Sequence, residues 1–220
     1  MKEYTKDKLN RVKRGANRAV YDIETINNIL DAGFLGHIAY VYDGYPISIP
    51  MAYTRIDDKI YLHGSTANRM FLSLLEAEKA SMTVTHLDGL VLARSAFHHS
   101  VNYRSTFIYG SFSKVVDKDS KTKVLKKVVD HIIDNRWDTL RPMTQKEFDR
   151  TLVVELTIES ASAKVRAEGV GDEPKDYKEN VWAGIVPIRQ IAEQPIADEG
   201  IPQQMELPEH IIVYYEKHKY

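Results

Sequence analysis

The chain has no cysteine among its 220 residues. Disulfides, thiolate zinc sites, iron–sulfur clusters and thiol nucleophiles are therefore excluded together. The absence also fits a reducing compartment, where disulfides are rare. No apolar run approaches the roughly 18 residues that a membrane-spanning helix requires, and the N-terminus is charged. We therefore expect a soluble, cytoplasmic protein with no membrane partner.

Several motifs of enzyme families are also missing. Gly169 and Gly171 begin a dinucleotide-like pattern, but Pro174 stands where its third glycine would be needed. There is no phosphate-binding P-loop and no nucleophile elbow. The pair His98-His99, together with His86, could suggest a metal site, but adjacent residues of a strand point to opposite faces. The sequence therefore predicts no metal site.

The formal net charge of −1 conceals an uneven distribution. Residues 1–18 contain seven basic and two acidic side chains, so the remaining residues carry a net −6. We interpret residues 1–20 as a basic N-terminal arm and residues 21–220 as one domain. A basic arm can bind nucleic acid, but an arm lying against the acidic body is the favoured interpretation, so no nucleic-acid partner is expected.

Apolar periodicity predicts an antiparallel sheet with helices at its ends. The runs 35–42, 47–56 and 59–63 are β-rich and are separated by the turn sequences Asp43-Gly44 and Asp57-Asp58. Proline cannot donate to a ladder, so the strand that contains Pro46 and Pro50 should have an irregular or unpaired edge. Further strands are predicted at 80–87, 90–97 and 103–116, with a turn at Asp88-Gly89, and around 154–158. Helices are predicted after Asp22, at 70–75 with Ser65 or Thr66 as cap, at 121–136, and after a capping box at Thr144–Glu147. Six or seven such strands favour an α+β, barrel-dominated fold.

The segment Tyr61–Arg69 is the most informative part of the chain. A strand ends in a small polar turn and a helix begins, with Arg69 near its start. A helix N-terminus carries unpaired N–H groups and partial positive charge, so an added guanidinium and the Ser65 and Thr66 hydroxyls would together bind phosphate. The alternative is an arginine that reaches solvent beside an ordinary serine cap.

A second polar segment, Ala93–Thr106, lies between two apolar strands and is rich in donors and aromatic side chains. Unpaired buried polar groups cost roughly 1–3 kcal/mol each, so such a cluster needs partners. A planar ligand with many hydrogen-bonding groups would supply them. The alternative is a solvated hairpin loop, which fits His98–Asn102 better than Arg94 and Arg104.

Together these segments resemble the pyridoxamine 5′-phosphate oxidase-like superfamily, and within it the flavin-nucleotide-binding proteins related to 5-nitroimidazole resistance. The resemblance rests on the His-Gly-Ser turn followed by Asn68-Arg69, on Ser-Val-Asn-Tyr-Arg-Ser before Tyr109-Gly110, and on Val181–Pro187. It implies an antiparallel six-stranded split β-barrel with peripheral helices that forms a homodimer with flavin sites at the interface. The implied cofactor is FMN, with FAD or another flavin as alternatives.

The resemblance also implies roles for individual residues. Arg69, Asn68 and Ser65 would hold the flavin phosphate. The remaining cofactor-binding residues would be Ile49, Pro50, Met51, His63, Gly64, Tyr103, Arg104 and Ser105. His63 is in addition a candidate catalytic residue.

Oxidation of vitamin B6 is disfavoured, because Asn68-Arg69 replaces the basic pair of the true oxidases and the segment Met205–Tyr220 lacks their Trp-plus-Arg motif. The leading hypothesis is a flavin-dependent oxidoreductase acting on a small molecule. A non-catalytic flavin-binding or storage module is the alternative, and the two would share the same pocket.

Overall fold

The computed structural model describes residues 2–77, 79–202 and 204–220. Nine antiparallel strands form one sheet: β1 Ala19–Val20, β2 Leu35–Tyr42, β3 Tyr45–Ala52, β4 Thr54–Ile56, β5 Lys59–Ser65, β6 Ala80–Leu92, β7 Ser100–Lys114, β8 Thr151–Arg166 and β9 Gly184–Pro187. The α-helices are α1 Ile23–Asp31, α2 Arg69–Glu76, α3 Lys118–Ile132, α4 Gln145–Arg150 and α5 Glu209–His218. Among the helices described, none is long and apolar enough to cross a membrane.

The main path of neighbouring strands is β3-β2-β6-β7-β8-β5-β4, with β1 beside β8 and β9 beside β6. This path does not return to its first strand, so the barrel is split. The predicted α+β, antiparallel split barrel with peripheral helices is confirmed, although the sheet contains nine strands where six were predicted. β3, which carries Pro46 and Pro50, is an edge strand as expected.

Two helices, α1 and α4, begin at the side-chain caps that the sequence predicts. The Asp22 carboxylate accepts the Glu24 N–H at the start of α1, and Thr144 and Glu147 form the capping box of α4. Side chains at these positions satisfy N–H groups that the first helical turn leaves unpaired.

The predicted turn at Asp88-Gly89 was wrong. β6 continues through this sequence, with a register irregularity between Leu87 and Gly89, and β7 pairs with both halves of the strand. The free edge at Gly89 is taken by β9, whose Val186 carbonyl oxygen would lie 3.2 Å from a Cβ at position 89. The glycine thus serves a bulge and a close strand contact rather than a hairpin.

The core lies on the inner face of the sheet. One row of paired residues crosses five strands, from Ile49 through Ile38, Met82 and Ile108 to Ala161. The two helices α1 and α2 add their buried faces to this cluster. A smaller cluster lies under α3, where Val124, Leu125 and Val128 pack on Val153.

The N-terminal arm lies against the sheet. The Asn10 side chain is buried and donates to the Ala161 carbonyl at 3.1 Å, while Asp7 accepts from Ser160 and Arg18 pairs with Glu168. These contacts cover the outer face of β8 and agree with an arm that lies on the body.

A bulge between Tyr109 and Gly110 gives the first prediction. A Cβ on Gly110 would lie 2.0 Å from the Thr157 carbonyl oxygen, so Gly110→Ala forces the backbone apart. We expect the free energy of unfolding to fall by about 1–3 kcal/mol or more, measured by urea denaturation. Gly169→Ala is the matched control, because a Cβ there meets no atom within 4 Å. Equal stability of the two variants would contradict the described bulge.

Candidate functional site

The turn that joins β5 to α2 is fixed by its neighbours. Ser65, at the end of β5, pairs with Thr151 at the start of β8. The Thr66 N–H donates to the Arg150 carbonyl oxygen at 3.0 Å, and the Asn68 N–H donates to the Ser65 carbonyl oxygen at 3.0 Å. The turn is therefore held against the junction between α4 and β8.

Asn68 caps α2, so the predicted cap at Ser65 or Thr66 was wrong. The Asn68 side-chain oxygen accepts the N–H groups of Met70 and Phe71, at 2.9 and 3.4 Å. The Ser65 hydroxyl instead accepts the Ala67 N–H at 3.2 Å. Because the protein uses these backbone donors itself, an anion at this turn would depend mainly on side chains, above all on Arg69.

The Arg69 side chain is exposed and lies over an aromatic ring. Its guanidinium carbon is 4.5 Å from the centroid of the Tyr42 ring, a cation–π contact that connects α2 to the end of β2. Within the described residues, no carboxylate lies within ion-pair distance of Arg69. Its positive charge is therefore oriented but not neutralised.

His63 lies in β5, two residues before the strand ends at Ser65, and is paired with Val153 of β8. Its Nδ1 atom is buried and has no hydrogen-bond partner among the described residues. Burial lowers the pKa of the His63 imidazole, which favours the neutral ring with a free lone pair. A buried nitrogen without a partner normally indicates a contact that a bound group would supply.

Gly64 has a structural role in this turn. A Cβ at position 64 would lie 2.7 Å from the Phe71 ring, so the glycine allows α2 to pack against the end of β5. The side of Gly64 where a Cβ would lie is therefore occupied by α2, and the predicted contact with a flavin ring would have to use another side of its backbone.

The segment Ile49–Met51 occupies the edge strand β3. The Ile49 and Met51 side chains pack against the core, and Pro50 points outward and is exposed. One edge of β3 has no partner strand in the described sheet. The free edge leaves the backbone of this segment available to a ligand. The flavin contact that the resemblance implies here stays a prediction.

The residues Tyr103–Ser105 lie far from the turn within one chain. Ser105 pairs with Lys164, whereas Ser65 pairs with Thr151 of the same strand β8. The thirteen residues between Thr151 and Lys164 correspond to about 40 Å along a strand. One chain therefore does not bring Tyr103, Arg104 and Ser105 together with Arg69.

Arg104 is also already engaged. Its guanidinium forms a double hydrogen bond with the Asp88 carboxylate, at 2.9 and 2.8 Å, and this pairing raises the pKa of Arg104. Ser105 is buried. The Asp88 contact joins two neighbouring strands, β6 and β7, so no local sequence pattern predicts it.

Two further residues at the turn were missed by sequence reasoning. Arg150 is exposed, and its carbonyl oxygen accepts the Thr66 N–H of the turn. Tyr42 lies under the Arg69 guanidinium. The position of each residue at the turn depends on contacts between segments that are distant in sequence. The capping box predicts the start of α4, the helix that ends at Arg150, but not the contact of Arg150 with the turn.

The family model for pyridoxamine 5′-phosphate oxidase matches residues 22–165, which include the turn, β3 and most of the sheet. The chain belongs to this family. No curated protein matches the sequence. Membership confirms the resemblance on which the site residues were assigned, but it does not test those residues one by one.

Two solved structures of similar length resemble most of the chain. The flavocytochrome Anf3 from Azotobacter vinelandii is 37% identical, with 94% of this chain and 97% of that chain covered and a TM-score of 0.89. The FAD and haem binding protein from Mycobacterium smegmatis is 31% identical, with coverages of 90% and 97% and a TM-score of 0.86. A proposed 5-nitroimidazole antibiotic resistance protein from Bacteroides thetaiotaomicron shares the fold, at 17% identity, coverages of 67% and 86% and a TM-score of 0.57.

Proposed function

We propose that this protein binds a flavin nucleotide and acts as a redox protein on a small molecule in the cytoplasm. The observation that carries the proposal is Arg69, an exposed guanidinium held over Tyr42 at a helix start, with no carboxylate among the described residues to neutralise it. A flavin phosphate would complete this arrangement, with the Ser65 and Thr66 hydroxyls beside it.

The fit of a flavin to this region is also supported by the unpartnered Nδ1 of His63 and by the free edge of β3. A bound flavin would supply the electron-transfer chemistry. The chain would supply the phosphate contact at Arg69, backbone groups at Ile49–Met51 and a neutral imidazole at His63. FAD is favoured over FMN, because a relative that covers 90% of this chain is an FAD and haem binding protein.

Haem is a second cofactor within this proposal. Two relatives that cover 90% or more of this chain are a flavocytochrome and an FAD and haem binding protein. Haem iron in proteins is commonly held by a neutral histidine. His63 Nδ1 and His210 Nε2 are both buried without a hydrogen-bond partner among the described residues. His63 is the candidate taken here, because burial lowers its pKa and so favours the neutral ring. An imidazole whose Nδ1 holds iron would not also contact the flavin or serve as the catalytic acid or base, so the haem assignment replaces the flavin contact of His63.

The proposed assembly is a homodimer. The residues Tyr103–Ser105 of one chain lie too far from its own Arg69, so a shared site requires a second copy. The outer face of the sheet offers an apolar surface for this contact, with Leu35, Leu87 and Phe107 between 41% and 54% exposed. Trp182, 68% exposed, and the neighbouring strand β9 continue this surface.

Light scattering tests the assembly. We expect a mass near twice the chain mass of 25.2 kDa at micromolar concentration, and Phe107→Lys should shift it toward the monomer with weaker flavin binding. The control is Phe34→Lys, another exposed aromatic residue, which lies before β2. A stable monomer that retains flavin would contradict the shared site.

The visible absorption spectrum of the purified protein tests the function. We expect flavin bands and a Soret band, and mass spectrometry of the material released by heat should identify FAD or FMN. Reduction of the bound flavin by NADPH would favour an oxidoreductase over a storage module. A colourless protein that does not take up added flavin would overturn the proposal.

A further inference from the structure

A separate cleft of about 400 Å³ lies where β7 begins and β8 ends. Its walls include Arg18, Arg166, His98 and His99, with the loop 168–171 on one side. Among the residues that the structure describes, Glu168 is the one carboxylate that lines it, and it pairs with both Arg18 and Arg166. Two arginines face this one carboxylate, so the lining stays basic on balance although Glu168 pairs with both, and it suits an anionic ligand.

The loop that forms one wall is rigidly held from below. The buried Arg166 guanidinium donates to the Asn102 side-chain oxygen and to the carbonyl oxygens of Glu168 and Gly169, the last two at 3.1 Å. Asn102 in turn donates to the Glu168 carbonyl at 3.0 Å. The loop backbone is thus fixed by buried side chains rather than free to collapse into the cleft.

Gly169 and Gly171 of this loop have no need to be glycine within the folded chain. A Cβ at either position would meet no atom within 4 Å. Neither glycine has a positive φ, unlike Gly15 and Gly44. Neither close packing nor a positive φ therefore explains why these two residues are glycine. Close approach of a ligand to the backbone is a further reason for glycine, and it fits both positions.

Phe97, at the rim of the cleft, is 90% exposed. Its described aromatic contact is an edge-on one with His98, at 5.1 Å between ring centroids. A large aromatic ring displayed in this way beside basic groups is suited to stacking on a nucleotide base.

We propose that this cleft binds an adenine nucleotide, with its phosphate at Arg18 and the loop 169–171 and its base on Phe97. Two sources share this chemistry: the adenylate half of FAD, which rests on the proposed flavin function, and a free nicotinamide nucleotide that acts as electron donor. The cleft borders Tyr103, which pairs with Arg166, so it adjoins the segment assigned to the flavin site.

Calorimetric titration with adenosine monophosphate tests the cleft directly and needs no flavin. We expect binding to wild type that weakens roughly tenfold or more in Arg18→Gln and in Gly171→Val. Both variants should keep the wild-type Tm, because position 171 is open and the Arg18–Glu168 pair is exposed. Arg11→Gln, another exposed arginine of the arm, should bind like wild type. No binding to wild type, or equal binding by all four proteins, would overturn the proposal.

Flavin titrations then separate the two sources. If the cleft holds the adenylate of FAD, wild-type apoprotein should bind FAD at least about tenfold tighter than FMN, and both cleft variants should remove this difference. If the ligand is a free nicotinamide nucleotide, FAD and FMN should bind alike and NADPH affinity should fall in the variants. FMN has no adenylate half, so its affinity reports on the proposed flavin site and not on the cleft. Failure of the cleft and failure of the proposed function therefore give different results.

Discussion

Replacing Arg69 with alanine is expected to weaken the affinity of the apoprotein for FMN or FAD by about 10- to 100-fold. The variant loses a charge-assisted phosphate contact, which contributes roughly 1.5–3 kcal/mol. The effect should be near the upper end of this range, because Asn68 and Ser65 already occupy most of the backbone donors of the turn. Fluorescence titration of the flavin measures the change.

Riboflavin provides the internal control for this prediction, since it has no phosphate and should bind wild type and Arg69→Ala almost equally. Arg69→Lys should recover only part of the affinity, because lysine retains the charge but not the planar fork. Protein stability should change little, since the side chain is exposed. Equal FMN affinity in wild type and Arg69→Ala would refute the phosphate assignment.

Replacing His63 with alanine is expected to abolish the Soret band of the purified protein. Burial lowers the pKa of this imidazole, so at pH 7 it is in the neutral form that binds iron. Haem content, measured as the pyridine haemochrome, should fall from about one per chain to near zero, since a protein-bound haem depends on its axial ligand. FMN affinity should change much less than in Arg69→Ala.

His37→Ala is the matched control, because this imidazole is exposed on the outer face of β2. A normal Soret band in His63→Ala together with its loss in His37→Ala would move the iron ligand to the outer sheet face. A wild-type protein that carries flavin but takes up no haem would refute the haem assignment and leave the flavin site intact.

Local sequence signals predicted the elements well. Caps at Asp22 and Thr144 act within one helical turn, and the prolines of β3 report directly on a missing ladder bond. The turn prediction at Asp88-Gly89 was wrong because β9, almost one hundred residues later in the chain, pairs with this part of β6 and stabilises it as strand. No local pattern distinguishes a glycine in a turn from one in a bulge that another strand covers.

The candidate site also contains residues that a local sequence pattern predicts and residues that only the fold brings to it. His63, Ser65, Asn68 and Arg69 are close in sequence, so a resemblance in one segment places them together. Arg150 and Tyr42 reach the turn through strand pairing and helix packing, which a single sequence does not encode visibly. The distance between Arg69 and the Tyr103–Ser105 segment follows from the register of β8 and could be known only from the structure.

Hydrogen exchange with and without FMN tests the central claim most directly, because it maps the bound region without a mutation. The account predicts slower exchange in residues 63–70 and in 103–105 when FMN is present. It also predicts that the protection of 63–70 disappears in Arg69→Ala at the same FMN concentration. Protection confined to other segments, with residues 63–70 unchanged, would contradict the placement of the flavin phosphate at this turn.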